Sequence, residues 1–355
     1  MGRTEPASWW RPVCVAAGLL VLSLCVSDVR VSAETPAGQV EMLFVGDVML
    51  GRWIGEMSVR HGTSYPLGAV DALIDSADLA FGNLESPLTT AAYIANGYNL
   101  QADPAQVAAL SGAGFDVVSL ANNHMTDSGE AGVLETIQVL DRVGIAHVGA
   151  GKNITDAREV WLADARELEI AYLAYDDTRG SVPATDSSTG TAHLDERALA
   201  DVAAAREEAD VVIVSLHWGD EYSPAPTEAQ REYARKLAEV GADLIVGHHP
   251  HVVQPLEWLS VAGRDRSVPI AYSLGNFIFD QEFSEQTSES TMLSCRVSSA
   301  GLESVRLIPV QMDNGRVSAV STREGERVLS RIVPATNPAT PAKVFSAAVL
   351  PTGER

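Results

Sequence analysis

Five short apolar runs recur along the chain, and each ends on glycine, a polar side chain or both. Glu41-Met42-Leu43-Phe44-Val45 is closed by Gly46-Asp47, and Ala77–Phe81 by Gly82-Asn83-Leu84-Glu85. Phe115–Leu120 runs into Ala121-Asn122-Asn123-His124, and Asp210–Leu216 into His217-Trp218-Gly219. Asp243–Val246 runs into Gly247-His248-His249-Pro250-His251. Runs of this length, apolar without alternation, predict strands buried on both faces. Between them lie helical patterns at Pro104–Ala113, Gly129–Val143, Asp195–Ala209 and Thr227–Val240. The second carries Val133, Ile137 and Leu140 on one face, and the last has Thr227 as N-cap and Gly241 as stop signal. Strands alternating with helices predict an α/β fold.

After Asn276 the pattern changes. Thr291–Val297, Leu302–Gln311 and Gly315–Thr322 read as antiparallel strands separated by glycine and Asn-Gly turns. Gly180–Thr191, rich in Ser, Thr and Gly, predicts an exposed loop near the mouth of a site. Residues 334–355 are rich in Pro, Ala and Thr and predict a disordered tail. The first 33 residues read as an export signal: Arg3 and Arg11, an apolar Val13–Val26 stretch, and Val31-Ser32-Ala33 as cleavage site. The alternative is an uncleaved N-terminal anchor. The mature protein is therefore expected to be extracytoplasmic, with residues 34–333 as its domain.

Chemistry concentrates at the predicted strand ends, where open α/β sheets bind their ligands. Three of the chain's 8 histidines fall within four positions, at His248, His249 and His251. In an extended loop, His249 and His251 point the same way and form half a metal site. Carboxylate, amide and imidazole donors together suit Mn, Zn or Fe. A formal net charge of −22 argues against nucleic acid and anionic membrane surfaces. It also opposes capture of a polyanion by the global field.

The five motifs, in this order from Met42 to Phe279 and closing with Ala271-Tyr272-Ser273-Leu274-Gly275-Asn276-Phe277, resemble the CapA family of bacterial capsule or poly-γ-glutamate biosynthesis proteins. That family is related to the calcineurin-like metallophosphoesterases. The resemblance implies a two-sheet αββα sandwich with mixed sheets and flanking helices. It implies one or two divalent ions held by Asp47, Glu85, Asn123, His217, His249 and His251. His124 is implied to face the substrate as a general acid, while His248 points away from its two neighbours. Arg52 is a candidate for binding a substrate carboxylate or phosphate, or else a surface ion pair. Asn276 is a candidate substrate contact or support for a ligand, or else a turn residue.

Two departures from the phosphoesterase pattern bear on the chemistry. Met49 stands where that superfamily has a histidine, and a thioether is a poor ligand for hard divalent ions. Asn83 stands where it has a bridging aspartate, the carboxylate being displaced to Glu85. Both weaken one of two metal positions. The resemblance implies a metal-dependent enzyme acting on an anionic polymer or γ-glutamyl amide, with a membrane-bound capsule synthesis complex as candidate partner. A phosphoesterase and a non-catalytic export or assembly factor are the alternatives.

Overall fold

The structure is a computed structural model that describes Gly2 and residues 35–36, 38–264, 266–320, 322–333 and 345–347. The expected export signal and the tail lie, apart from Gly2 and 345–347, outside the described residues.

Two sheets face each other. The first has nine strands. Its main path runs Arg316–Ala319, Gly301–Asp313, Glu289–Ser298, Gln39–Val48, Leu79–Leu84, Val117–Ser119, Ala146–Val148. The second has six, in the order Leu256–Leu259, Val268–Ala271, Leu244–His248, Val211–His217, Leu168–Asp176, Trp161–Ala165. Alternation on the central strands explains the layering. Met42 and Phe44 point into the space between the sheets, with Phe81, Val117, Tyr172, Ile213, Val246 and Leu293. Leu43 and Val45 point the other way and pack on Ile54, Leu110, Val133 and Leu140 from the helices over the first sheet. Val212, Val214 and Ile245 meet Val202, Ala234 and Leu237 from the helices over the second. The layers run helix, sheet, sheet, helix, as the resemblance implies.

The first strand has two kinds of neighbour on one side. Its amino half pairs antiparallel with Glu289–Ser298, and its carboxyl end pairs parallel with Asn276–Ile278. On the other side it pairs parallel with Leu79–Leu84. Asp47 therefore lies opposite both Asn276 and Asn83. Gly46 is required at this junction, because a Cβ there would lie 1.8 Å from the Gly275 carbonyl oxygen.

The helices Gly129–Val143, Glu196–Glu208 and Glu228–Val240 form where expected, the last with a capping box between Thr227 and Gln230. Three expectations need correction. The strand expected over Gly315–Thr322 ends at Ala319, and a helix begins at Thr322. The 180–191 loop is exposed at its tip, but Gly190–Thr191 is buried and pairs with Ala150–Gly151. His249 and His251 are not in an extended loop: their φ angles are 94° and 58°.

Candidate metal centre

The parallel strands of both sheets end on the same side of the sandwich, and the polar groups meet there. Asp47, Glu85, His217, His249 and His251 are all buried, at 8% exposure or less. His251 Nε2 and His217 Nε2 each lie 3.8 Å from Glu85 Oε1, and His251 Nδ1 lies 3.5 Å from Asp47 Oδ2. Asn123 Oδ1 lies 2.8 Å from His217 Nε2. The His217 and His249 ring centres are 4.8 Å apart, and those of His249 and His251 6.0 Å apart. The structure thus brings all six expected ligand residues to one place. The convergence of His249 and His251 comes from a left-handed turn after Gly247, not from strand alternation. Gly247 fits tightly, since a Cβ there would meet the Tyr272 carbonyl oxygen at 1.9 Å.

Neighbouring amides orient the cluster. Asn276 is fully buried. Its Nδ2 donates to the Thr287 carbonyl at 3.1 Å, which leaves Oδ1 to face His251 Nδ1 at 2.8 Å. His251 Nδ1 therefore donates, and Nε2 is the nitrogen left towards Glu85. Asn83, seen in the sequence only as a departure, donates from Nδ2 to Asp47 Oδ1 at 2.8 Å and stands 3.2 Å from His217 Nδ1. Asn122 donates to Asn83 Oδ1 and to the Leu84 carbonyl, tying adjacent strand ends together.

His124 sits at the edge of the cluster. Its Nδ1 is 2.9 Å from Asp127 Oδ2 and its Nε2 is 4.0 Å from Glu85 Oε1. His248 packs against Phe81, with its Nδ1 3.4 Å from Asp47 Oδ1. It thus reaches one oxygen of the carboxylate whose other oxygen faces His251. Arg52 is ion-paired with Asp280 at 2.9 Å and lines a cavity of about 350 Å³ with Gln101 and Asp103. Met49 is buried in the apolar layer under the first sheet, and its sulfur accepts a hydrogen bond from the Gly51 N–H.

Electrostatics divide the donors. Burial pushes the Glu85 carboxyl well above the usual range. Burial acts the same way on Asp47, but the His248 and His251 imidazoles outweigh it and hold that carboxyl well below the usual range. Burial, with neighbouring imidazoles, keeps His217 well below its ordinary value and His249 down to about 3. Both are neutral at pH 7 and available as ligands. Burial alone would lower His251, but Glu85 and Asp47 raise it to about 9.

The donor set fits a divalent ion. Both Glu85 side-chain oxygens are buried without a hydrogen-bond partner, and so is His249 Nδ1. Orphaned buried acceptors of this kind are rare and costly unless a cation satisfies them. Two groups have ligand atoms all within 4.8 Å of one another: Asp47, Glu85 and His251, and Glu221, His249 and His251. Glu221, which reads in the sequence as either solvated or a support behind the ligands, lies four residues beyond His217.

Fold and cluster together define a two-sheet sandwich protein, helices on both outer faces, with a candidate divalent metal centre at its strand ends. Its fold is similar to that of a phosphatase from Mycoplasma pneumoniae, with a TM-score of 0.50 and 14% identity, covering 78% of this chain and 95% of that one. The chain belongs to the family described as Bacterial capsule synthesis protein PGA_cap, which matches residues 41–281. Capsule biosynthesis protein CapA of Bacillus anthracis is 31% identical over 296 residues, 80% of this chain and 70% of that protein. PGA biosynthesis protein CapA of Bacillus subtilis (strain 168) is 32% identical over 275 residues, 76% of this chain and 70% of that protein. A probable polyglutamine synthesis accessory protein of Mycobacterium tuberculosis is 27% identical, over 81% of this chain and 88% of that protein.

Proposed function

We propose that this protein is an extracytoplasmic enzyme of capsule or poly-γ-glutamate biosynthesis that uses one or two Mn, Zn or Fe ions to act on a γ-glutamyl amide. The observation that carries the reading is Glu85, a buried carboxylate with two unpartnered oxygens, surrounded by Asp47 and the imidazoles of His217 and His251. Asp47, Glu85, Asn123, His217, His249 and His251 would hold the metal. A divalent ion supplies polarisation of the scissile carbonyl and lowers the pKa of water towards neutrality.

The chain's own groups complete the reaction. Asp127 holds His124 through Nδ1, which aims Nε2 at the cluster edge. In hydrolysis water adds its oxygen to the carbonyl carbon, the amide C–N bond breaks, and His124 gives its Nε2 proton to the departing nitrogen and is reprotonated by the proton that water loses. Asn276 keeps His251 in one orientation.

The test is to incubate the full chain, with Mn or Zn, with poly-γ-glutamate and separately with an aryl phosphate, and to measure new amine ends and released phenol. The reading expects amine release that falls by roughly 10²–10⁴-fold in His124→Ala with metal content unchanged. Phosphate-ester turnover without amide cleavage would support the phosphoesterase instead. Metal binding with neither reaction would support a non-catalytic capsule factor.

A further inference from the structure

Glu221 is exposed, but it does not stand alone over solvent. Its carboxylate lies within 4.8 Å of ligand atoms on His249 and His251. Tyr222, at φ 61°, donates its N–H to the Pro250 carbonyl at 2.8 Å, so the turn carrying Glu221 is tied to the turn carrying the two histidines. A left-handed conformation at a tyrosine is unfavourable in isolation and is held here by that bond.

His251 is committed elsewhere. Asn276 occupies its Nδ1, and its Nε2 lies near Glu85. That leaves Asp47, Glu85 and His251 as a deep group with two carboxylates, enough to balance one dication. Beside it, His217, Asn123 and His249 are all neutral donors. A second dication among them would share only Glu85 as an anion. Glu221 approaches His249 from the solvent side with the missing negative charge.

Distances allow the closure. With metal–ligand bonds of about 2.0–2.2 Å, two ligands of one ion stand about 3–4 Å apart. Reaching that from 4.8 Å or less needs only a small rotation of an exposed glutamate. His249 Nδ1, buried without a partner, is a second sign that this side of the cluster is built for a cation.

We infer that Glu221 is a ligand of an outer divalent cation held with His249, next to the deep ion at Asp47, Glu85 and His251. It supplies from the loop after His217 what Met49, packed in the core, does not. This inference rests on the metal reading above. The test uses the full chain, stripped with a chelator and titrated with Mn(II), reading free Mn by electron paramagnetic resonance and the bound spectrum at low temperature. The wild type is expected to bind two ions and give a spin-coupled signal. Glu221→Gln is expected to keep one ion tightly and to lose affinity for the other by 10-fold or more, leaving an isolated-ion spectrum. Glu221→Asp should recover part of the second affinity. Two ions bound with unchanged affinity in Glu221→Gln, or a single ion in the wild type, would overturn the inference and leave the metal reading standing. No Mn bound by the wild type would overturn both.

Discussion

Asp176 illustrates how strongly this interior treats a single charge. It is fully buried at the end of its strand, opposite His217. One oxygen accepts from the Thr178 N–H and hydroxyl, and the other has no partner. Burial raises its pKa from 3.8 to about 6. The folded state therefore prefers the neutral acid. That contribution to stability is fully present below pH 3.8 and is lost as pH rises through about 6. Stability of metal-stripped Asp176→Asn relative to wild type should rise by about 2 kcal/mol between pH 4 and pH 7. Urea unfolding at both pH values measures it, and a difference that does not change with pH would show that Asp176 ionises freely in the fold. Glu85 differs from Asp176 in position: it faces other donors, so a cation can relieve it.

At the scale of elements, strand ends do the positioning. Thr227 and Gly247 separate two ways of damaging them. Thr227→Ala breaks a capping box on a helix outside the cluster and should cost about 1 kcal/mol with metal affinity unchanged. Gly247→Ala forces a Cβ onto the Tyr272 carbonyl, should cost about 1–3 kcal/mol or more, and should weaken metal binding by shifting His248–His251. Thermal unfolding with calorimetric metal titration distinguishes the two, and equal metal loss in both would argue against strand-end positioning. The five motif-bearing strands were legible because apolar runs and ligand chemistry coincide in them. The Trp161–Ala165 and Leu168–Asp176 hairpin was not. Its turn residues Arg166 and Glu167 have φ of 50° and 71° without glycine or asparagine, so no turn signal marks it. For the same reason the left-handed turns at His249, His251 and Tyr222 were invisible. The sequence named six donors that meet, but not the Asn83 amide or the Glu221 carboxylate, because both depend on which loops the two sheets bring together.

For the whole molecule, charge and site pull in different directions. A chain of net charge −22 repels an anionic polymer at long range, and screening reduces that repulsion at physiological salt. The cluster is where the sign can reverse, because divalent ions would place positive charge at the meeting point of the two sheets. Among the described residues no helix is long and apolar enough to cross a membrane. The proposed chemistry depends on a cation in the strand-end cluster. Anomalous diffraction from a crystal of the full chain grown with Mn tests this most directly. The account predicts a peak about 2.0–2.2 Å from carboxylate oxygens of Asp47 and Glu85 and from His251 Nε2. No peak at the cluster, with His251 Nδ1 still hydrogen-bonded to Asn276 Oδ1, would contradict it.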